Sequence, residues 1–318
     1  MPELPEVEAL GAFLTQNAAG RRVVDTHVAS MGALKTVEPP LEALVGRTLV
    51  GAQRYGKWLA VRTDASAPDT TDTTDTTDTT DTTDTTDTEP LYLVFHLARA
   101  GWLRWQDSMP PAEARTGKPM GRAAGALALR VWLEEGGFDL TEAGTRKSLA
   151  VYVVRDPTDV PRIASLGFDP VGLSVEELVP KLRVAAKVRN QRIKAALRDQ
   201  HLIAGIGNAY SDEILHAAKI SPFALTGTMR EEELQRIAEA VHDVLGGAIE
   251  TSRGFPAPAL KDAKRRAMAV HGRTGEECPV CGDVVREVAF TDSSMQYCAT
   301  CQTDGRILAD RRLSRLLR

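Results

Sequence analysis

The sequence has no apolar run approaching the roughly 18 residues of a membrane-spanning helix, so no spanning segment is expected. Its start lacks a basic segment followed by an apolar one, so no secretory signal is expected. Cysteine is absent outside residues 278–301, where all four lie. That confinement argues against a disulfide framework and for a local metal site in a reducing compartment. An excess of positive charge is missing too. The total is −4, which by itself argues against a nucleic-acid partner.

The charge total misleads. Residues 69–87 repeat Thr-Thr-Asp and carry seven aspartates and no base. Taking those seven negative charges from a total of −4 leaves +3 on the rest. The remaining bases are clustered. Residues 181–198 hold seven Lys or Arg and no acid, residues 261–273 hold five bases and one acid, and the tail 302–318 holds five arginines and two aspartates. Clusters on one surface, rather than net charge, make a phosphate footprint, although each alone is also what a solvated helix face looks like.

A chain of 318 residues is long enough for two domains with separate cores. Leu4, Val7, Leu10, Phe13 and Leu14 recur at helical spacing, which predicts a helix over 3–19 stopped by Gly20. From Arg22 to Val154 short β-branched runs broken by turns predict a sandwich or barrel. The repeat falls where a hairpin turn belongs. Its composition cannot build a core, so residues 69–88 are expected to form a disordered loop. Beyond Pro161 the spacing turns helical. The expected division is 1–156, a β-rich domain; 157–270, a helical domain; and 271–318, a cysteine-containing module with a basic tail.

Four motifs carry chemistry. Met1-Pro2-Glu3 would expose a secondary amine at Pro2 once Met1 is trimmed. An α-amino group titrates at roughly 7.7–8.0, so a useful fraction is neutral and nucleophilic near neutral pH. Glu3 beside it is placed for proton transfer. Cys278-x-x-Cys281 and Cys298-x-x-Cys301, sixteen residues apart, fit a closed four-thiolate zinc site of structural type. Between two helical segments lies Gly205-Ile206-Gly207-Asn208. Asn208 is a candidate N-cap, and the helix start is a candidate phosphate site with Gly207 at the turn and Lys194 in the basic helix before it; a plain capped helical hairpin reads the same way. Lys57, in Arg54-Tyr55-Gly56-Lys57-Trp58, begins a strand after a glycine and either is solvated or reaches a pocket near the N-terminus.

Taken in order, MPELPEVE, RYGKWL, DQHLIAGIGNAYSDEIL and HGRTGEECPVCG with YCATCQ resemble the formamidopyrimidine-DNA glycosylase and endonuclease VIII family of base-excision repair enzymes. The resemblance covers the chain except the repeat. It implies an α+β fold: an N-terminal β-sandwich with a flanking helix, then a helix–two-turn–helix domain with a zinc finger. It implies Pro2 as the nucleophile at deoxyribose C1′, Glu3 as the acid/base and Lys57 as the catalytic lysine. Asn208 would grip the phosphate, and Glu6 would support the motif. It further implies one structural Zn2+, damaged duplex DNA as partner, no membrane, and a monomer acting in the cytoplasm at a bacterial nucleoid.

Two departures matter. The family's zinc hairpin carries an arginine five residues before the third cysteine, where this chain has Ser293. A serine cannot make a bidentate charge-assisted grip, so phosphate binding is expected to be weaker or rearranged, with Ser293, Ser294 or Gln296 donating neutral hydrogen bonds instead or Arg286 reaching across the hairpin. Arg99 stands where purine-directed members have an apolar residue, and the stretch from Ile249 to Val270 is short for their loop over oxidised guanine. Both lean towards oxidised pyrimidines. The competing expectations are a non-catalytic or lyase-only DNA-binding protein on the same fold, and a zinc-containing protein-interaction module.

Overall fold

The first helix, α1 (Leu4–Ala18), buries Leu4, Val7, Leu10 and Leu14 and is followed by Gly20 at φ +81°, the expected stop. The structure is a computed structural model and describes residues 1–64, 89–110, 126–290 and 293–308. The repeat loop at 69–88, Asp292 and the tail beyond residue 308 lie outside the described residues. Two units divide the chain. The first holds Met1, Leu10–Arg54 and Trp58–Ala164; the second holds Pro2–Ala9, Tyr55–Lys57 and the residues from Ser165 onward.

Among the described residues, eight strands make two four-stranded sheets in the first unit. They are β1 (Val23–Val28), β2 (Leu49–Tyr55), β3 (Trp58–Thr63), β4 (Tyr92–His96), β5 (Gly101–Gln106), β6 (Ala126–Leu133), β7 (Gly137–Glu142) and β8 (Ala150–Val154). The orders are β1-β6-β7-β5 and β2-β3-β4-β8. β3 pairs antiparallel with β4, from Trp58 opposite His96 to Arg62 opposite Tyr92, so the repeat sits in the connection between two paired strands. Leu59, Phe95, Leu103, Phe138 and Leu140 are buried and supply the core. Arg130 and Asp139 face each other across β6 and β7 and form an ion pair at 2.6 Å.

The second unit is helical, with a short sheet at its end. α2 (Pro161–Ala164) closes the first unit, and the second continues with α3 (Val175–Val188), α4 (Ile193–Arg198), α5 (Asn208–Ala217), α6 (Glu231–Ser252) and α7 (Leu260–Ala267). α3 starts on a reciprocal cap, with the Ser174 hydroxyl accepting from Glu177 N–H and the Glu177 carboxylate accepting from Ser174 N–H. Leu182, Leu197, Ile206, Ile214, Ile237 and Val241 pack into one core, and Leu4 belongs to it. The terminal module is a hairpin, β9 (Val285–Ala289) with β10 (Ser294–Cys298), then α8 (Ala299–Thr303). Gln302 ties the hairpin to the helices: its Oε1 accepts the Cys298 N–H at 2.9 Å and its Nε2 donates to the Ile220 carbonyl at 3.0 Å. This is the α+β architecture that the sequence led us to expect.

One local expectation is corrected. Asn208 is the first residue of α5, and the N-cap is Gly207. The cap is not a local side chain at all; it comes from the far end of the chain.

Candidate active site

Glu3 caps α5. Its Oε2 accepts the N–H of Gly207 at 2.7 Å and of Tyr210 at 3.3 Å, and its Oε1 accepts the N–H of Ala209 at 2.9 Å. A helix start presents unpaired N–H groups and partial positive charge, so a carboxylate satisfies both. The N–H groups read as a phosphate cradle are therefore committed to Glu3, and the Gly207 N–H with them.

Two glycines make this approach possible. Gly205 stands at φ +90°, and a Cβ there would lie 2.6 Å from the Leu4 side chain. Its carbonyl accepts the Leu4 N–H at 3.0 Å. A Cβ on Gly207 would lie 2.4 Å from the Glu3 carboxyl carbon. Gly56 stands at φ +57°, and a Cβ there would lie 3.4 Å from the Ala204 Cβ and 3.4 Å from the Gly205 nitrogen, so the turn carrying Lys57 comes to the same place. Three motifs far apart in sequence thus converge within the second unit.

The electrostatics follow from that convergence. Burial alone would raise the Glu3 carboxyl, but Lys264, Lys57 and the N–H groups of Ala209 and Tyr210 outweigh it, so Glu3 titrates below the ordinary glutamate range. Burial pulls Lys57 down to about 8; Arg198 and Lys264 add to the fall, while Glu3 and Glu6 oppose it. Pro2 is buried with Met1 in place. Glu6 is 1 % exposed and fully engaged. Its Oε1 accepts the Tyr210 hydroxyl at 2.7 Å; its Oε2 accepts the Glu3 N–H at 2.8 Å and the Lys264 ammonium at 2.7 Å.

Lys194 is buried rather than displayed. Its ammonium pairs with Asp212 and donates to the Asn208 carbonyl at 3.2 Å. Asp212 also holds His271 Nδ1 at 2.8 Å, and Glu213 accepts the N–H groups of Ala269, Val270 and His271. Lys194 therefore braces the first turn of α5 from behind. The Asn208 side chain donates through Nδ2 to the Ser294 carbonyl at 2.8 Å, and its Oδ1 is buried with no hydrogen-bond partner among the described residues.

Ser293 sits in the β9–β10 turn, where its carbonyl accepts the Phe290 N–H at 2.7 Å. Of the expected substitutes for an arginine, Gln296 has its amide committed to Glu287 and to the Ser294 hydroxyl. Arg286 lies 3.8 Å from Asp283. Arg99 is exposed in the turn after β4, in the first unit.

The four cysteine sulfurs lie within 4.8 Å of one another, with Cys281 and Cys298 at 3.3 Å and Cys278 and Cys301 at 3.9 Å. A tetrahedral centre with metal–sulfur bonds of about 2.3 Å needs sulfurs roughly 3.8 Å apart, so the set fits one metal ion with no open position. His216 Nε2 lies 3.2 Å from the Cys278 sulfur, a contact from α5 that orients a ligand.

Sequence reasoning missed Lys264, Tyr210 and His216. The basic run at 261–273 was visible, but nothing in it marked Lys264 as the residue turned inward.

A model of the formamidopyrimidine-DNA glycosylase N-terminal domain matches residues 1–147, and one of the formamidopyrimidine-DNA glycosylase H2TH domain matches residues 166–256. An uncharacterized formamidopyrimidine-DNA glycosylase-like protein of Mycobacterium tuberculosis (strain ATCC 25618 / H37Rv) is 52% identical over 158 residues, which is 50% of this chain and 98% of that protein. A formamidopyrimidine-DNA glycosylase of Symbiobacterium thermophilum is 28% identical over 322 residues, 98% of this chain and 93% of its own. The solved structure of MutM in complex with carbocyclic 8-oxo-G containing DNA superposes with a TM-score of 0.74 at 21% identity, over 95% of this chain and 100% of that one, and shares the fold. The chain belongs to the formamidopyrimidine-DNA glycosylase and endonuclease VIII family of DNA-repair glycosylases.

Proposed function

We propose that the protein is a bifunctional DNA glycosylase and abasic-site lyase that excises oxidised bases, with a lean towards oxidised pyrimidines. The observation that carries this is the Glu3 carboxylate, seated on the start of α5 within reach of Lys57 and directly after Pro2. With Met1 removed, the Pro2 amine attacks C1′ of the damaged nucleotide. The C1′–base bond breaks and its electron pair leaves with the base, which takes a proton from solvent. The Pro2 proton passes to Glu3, which returns it to O4′ as the sugar ring opens to an iminium. Loss of a C2′ proton expels the 3′ phosphate, and further elimination expels the 5′ phosphate. Hydrolysis of the iminium frees Pro2.

Around this centre Lys57, Asn208 and the finger turn with Ser293 act on backbone phosphates, and Lys194 acts by bracing Asn208. The four thiolates hold zinc, which keeps the hairpin folded and takes no part in the chemistry. The segments 1–156, 157–270 and 271–318 are the working parts. No helix among the described residues is long and apolar enough to cross a membrane. We place the protein in the cytoplasm, as a monomer on damaged duplex DNA. The lean towards pyrimidines is supported by Arg99, an exposed cation in the turn after β4, and by α7 occupying the short stretch before the finger.

Borohydride trapping on an abasic-site duplex tests the chemistry. A covalent adduct is expected with the native residue and none with Pro2→Gly; absence of an adduct in the unaltered protein would sink the proposal. Cleavage of duplexes bearing thymine glycol, 5-hydroxycytosine, dihydrouracil or 8-oxoguanine tests the lesion.

A further inference from the structure

α7 carries Lys261, Lys264, Arg265 and Arg266 within two turns. Lys261, Arg265 and Arg266 are exposed; the Lys264 side chain is 14% exposed and turned inward. Its ammonium lies 2.7 Å from Glu6 Oε2, 3.8 Å from Glu3 Oε1 and 4.5 Å from the centre of the Tyr210 ring. Glu6 Oε2 accepts the Glu3 N–H at 2.8 Å at the same time. That N–H belongs to the peptide joining Pro2 to Glu3. Glu6 therefore grips the bond that fixes the direction of the Pro2 ring, and Lys264 is the cation that holds Glu6.

We propose that Lys264 is a positioning residue for the Pro2 amine, acting through Glu6 on where Pro2 sits and through Glu3 on where its proton goes. The inference rests on the Pro2 chemistry proposed above. As the Pro2 nitrogen bonds C1′, its N–H bond breaks, the proton moves to Glu3 and the glycosidic electron pair leaves with the base. Glu3 must be an ionised base at that moment, and Lys264 favours that state. A structural ion pair alone is a poor explanation. Replacing a buried set of carboxylates and an ammonium by apolar residues is often neutral or stabilising, so the arrangement is weakly explained by stability alone.

The charges facing this centre come from several elements. Glu3 is faced by Lys264 of α7, Lys57 of the β2–β3 turn, Lys194 of α4, Tyr210 of α5 and Glu6 of α1. Lys57 is faced by Glu3, Glu6, Arg198 and Lys264. Lys264 lowers the titration of both Glu3 and Lys57. Its removal therefore moves both to higher pH, which a simple loss of folded protein cannot do.

The test is single-turnover borohydride trapping on an abasic-site duplex, with the full chain freed of Met1, between about pH 5 and 10. Lys264→Gln is expected to slow trapping by about 10- to 100-fold, the scale of a misplaced reacting group, with the alkaline limb, where Lys57 titrates at about 8, shifted upwards. Lys264→Arg keeps the charge and is expected to recover most of the rate and the original alkaline limb. An unchanged rate in Lys264→Gln overturns the proposal. So does a uniform fall with an unmoved alkaline limb, which is the mark of a merely structural role. If the unaltered protein forms no adduct, the Pro2 reading itself fails, and this inference fails with it.

Discussion

Gly207 and Glu3 are fitted to each other: the carboxylate of Glu3 lies where a Cβ on residue 207 would stand, 2.4 Å from the Glu3 carboxyl carbon. Only glycine lets the carboxylate reach the N–H groups of Gly207, Ala209 and Tyr210. Gly207→Ala must therefore push a buried charge off its donors, which costs about 1–3 kcal/mol per unmet partner. We expect a urea or thermal unfolding measurement to show a loss of that size. Trapping of an abasic-site duplex is expected to collapse even where the fold persists. A variant as stable and as active as the native protein would remove the link between the two motifs.

Lys57 gives a pH-dependent signature. Its folded value of about 8 lies below the unfolded lysine value near 10.4, so the unfolded chain holds more protons between the two. Stability therefore rises with pH across that window, and the penalty for the buried charge is fully present below about 8. At about 1.4 kcal/mol per unit, and with part of the effect screened by solvent, Lys57→Met should gain about 1–2 kcal/mol near pH 6–7. Function runs the other way. If the Lys57 ammonium contacts phosphate, affinity for an abasic-analogue duplex weakens as pH rises through about 8. Lys57→Arg should flatten that dependence in fluorescence anisotropy, because a guanidinium stays charged.

The convergence of these residues explains what could be read from the chain alone. The buried stripe of α1, the strands and the thiolate set are local patterns of period or spacing, and each is legible in a window of residues. The cap on α5 is not. Its carboxylate is 204 residues from Gly207 in sequence, and the local choice, Asn208, is a good N-cap by composition. The glycines announced a close approach without saying what approached. Lys264 was hidden for a related reason. Four bases on a short helix look alike, and which one points inward is decided by where α7 docks. Lys194 shows the opposite error: its basic segment suggested phosphate, while burial gave its charge to Asp212.

Metal removal should reach beyond the finger. The Ser294 carbonyl on β10 holds the Asn208 amide, and the thiolates at 278, 281, 298 and 301 frame that hairpin. A strong chelator, or Cys281→Ser, should melt the hairpin and free Asn208. We expect one zinc per chain by elemental analysis of the native protein. After chelation, duplex affinity should fall while the helical signal of α3 to α6 persists in circular dichroism. Retained affinity after complete metal loss would show that the hairpin does not position Asn208.

Ser293 is the position where an added charge should help. It lies in the turn between Phe290 and Ser294, beside the carbonyl that anchors Asn208, and neither Gln296 nor Arg286 is free of other contacts there. Ser293→Arg would supply a guanidinium capable of a charge-assisted phosphate contact, worth about 1.5–3 kcal/mol. Affinity for an abasic-analogue duplex should rise by about ten- to a hundredfold at fixed salt. Because one more phosphate is neutralised, the slope of log affinity against log salt should steepen by about one unit. Titrations at three salt concentrations measure both quantities. A tighter complex with an unchanged slope would mean that the arginine acts through packing. If neither quantity changes, the native serine is not a missing phosphate contact.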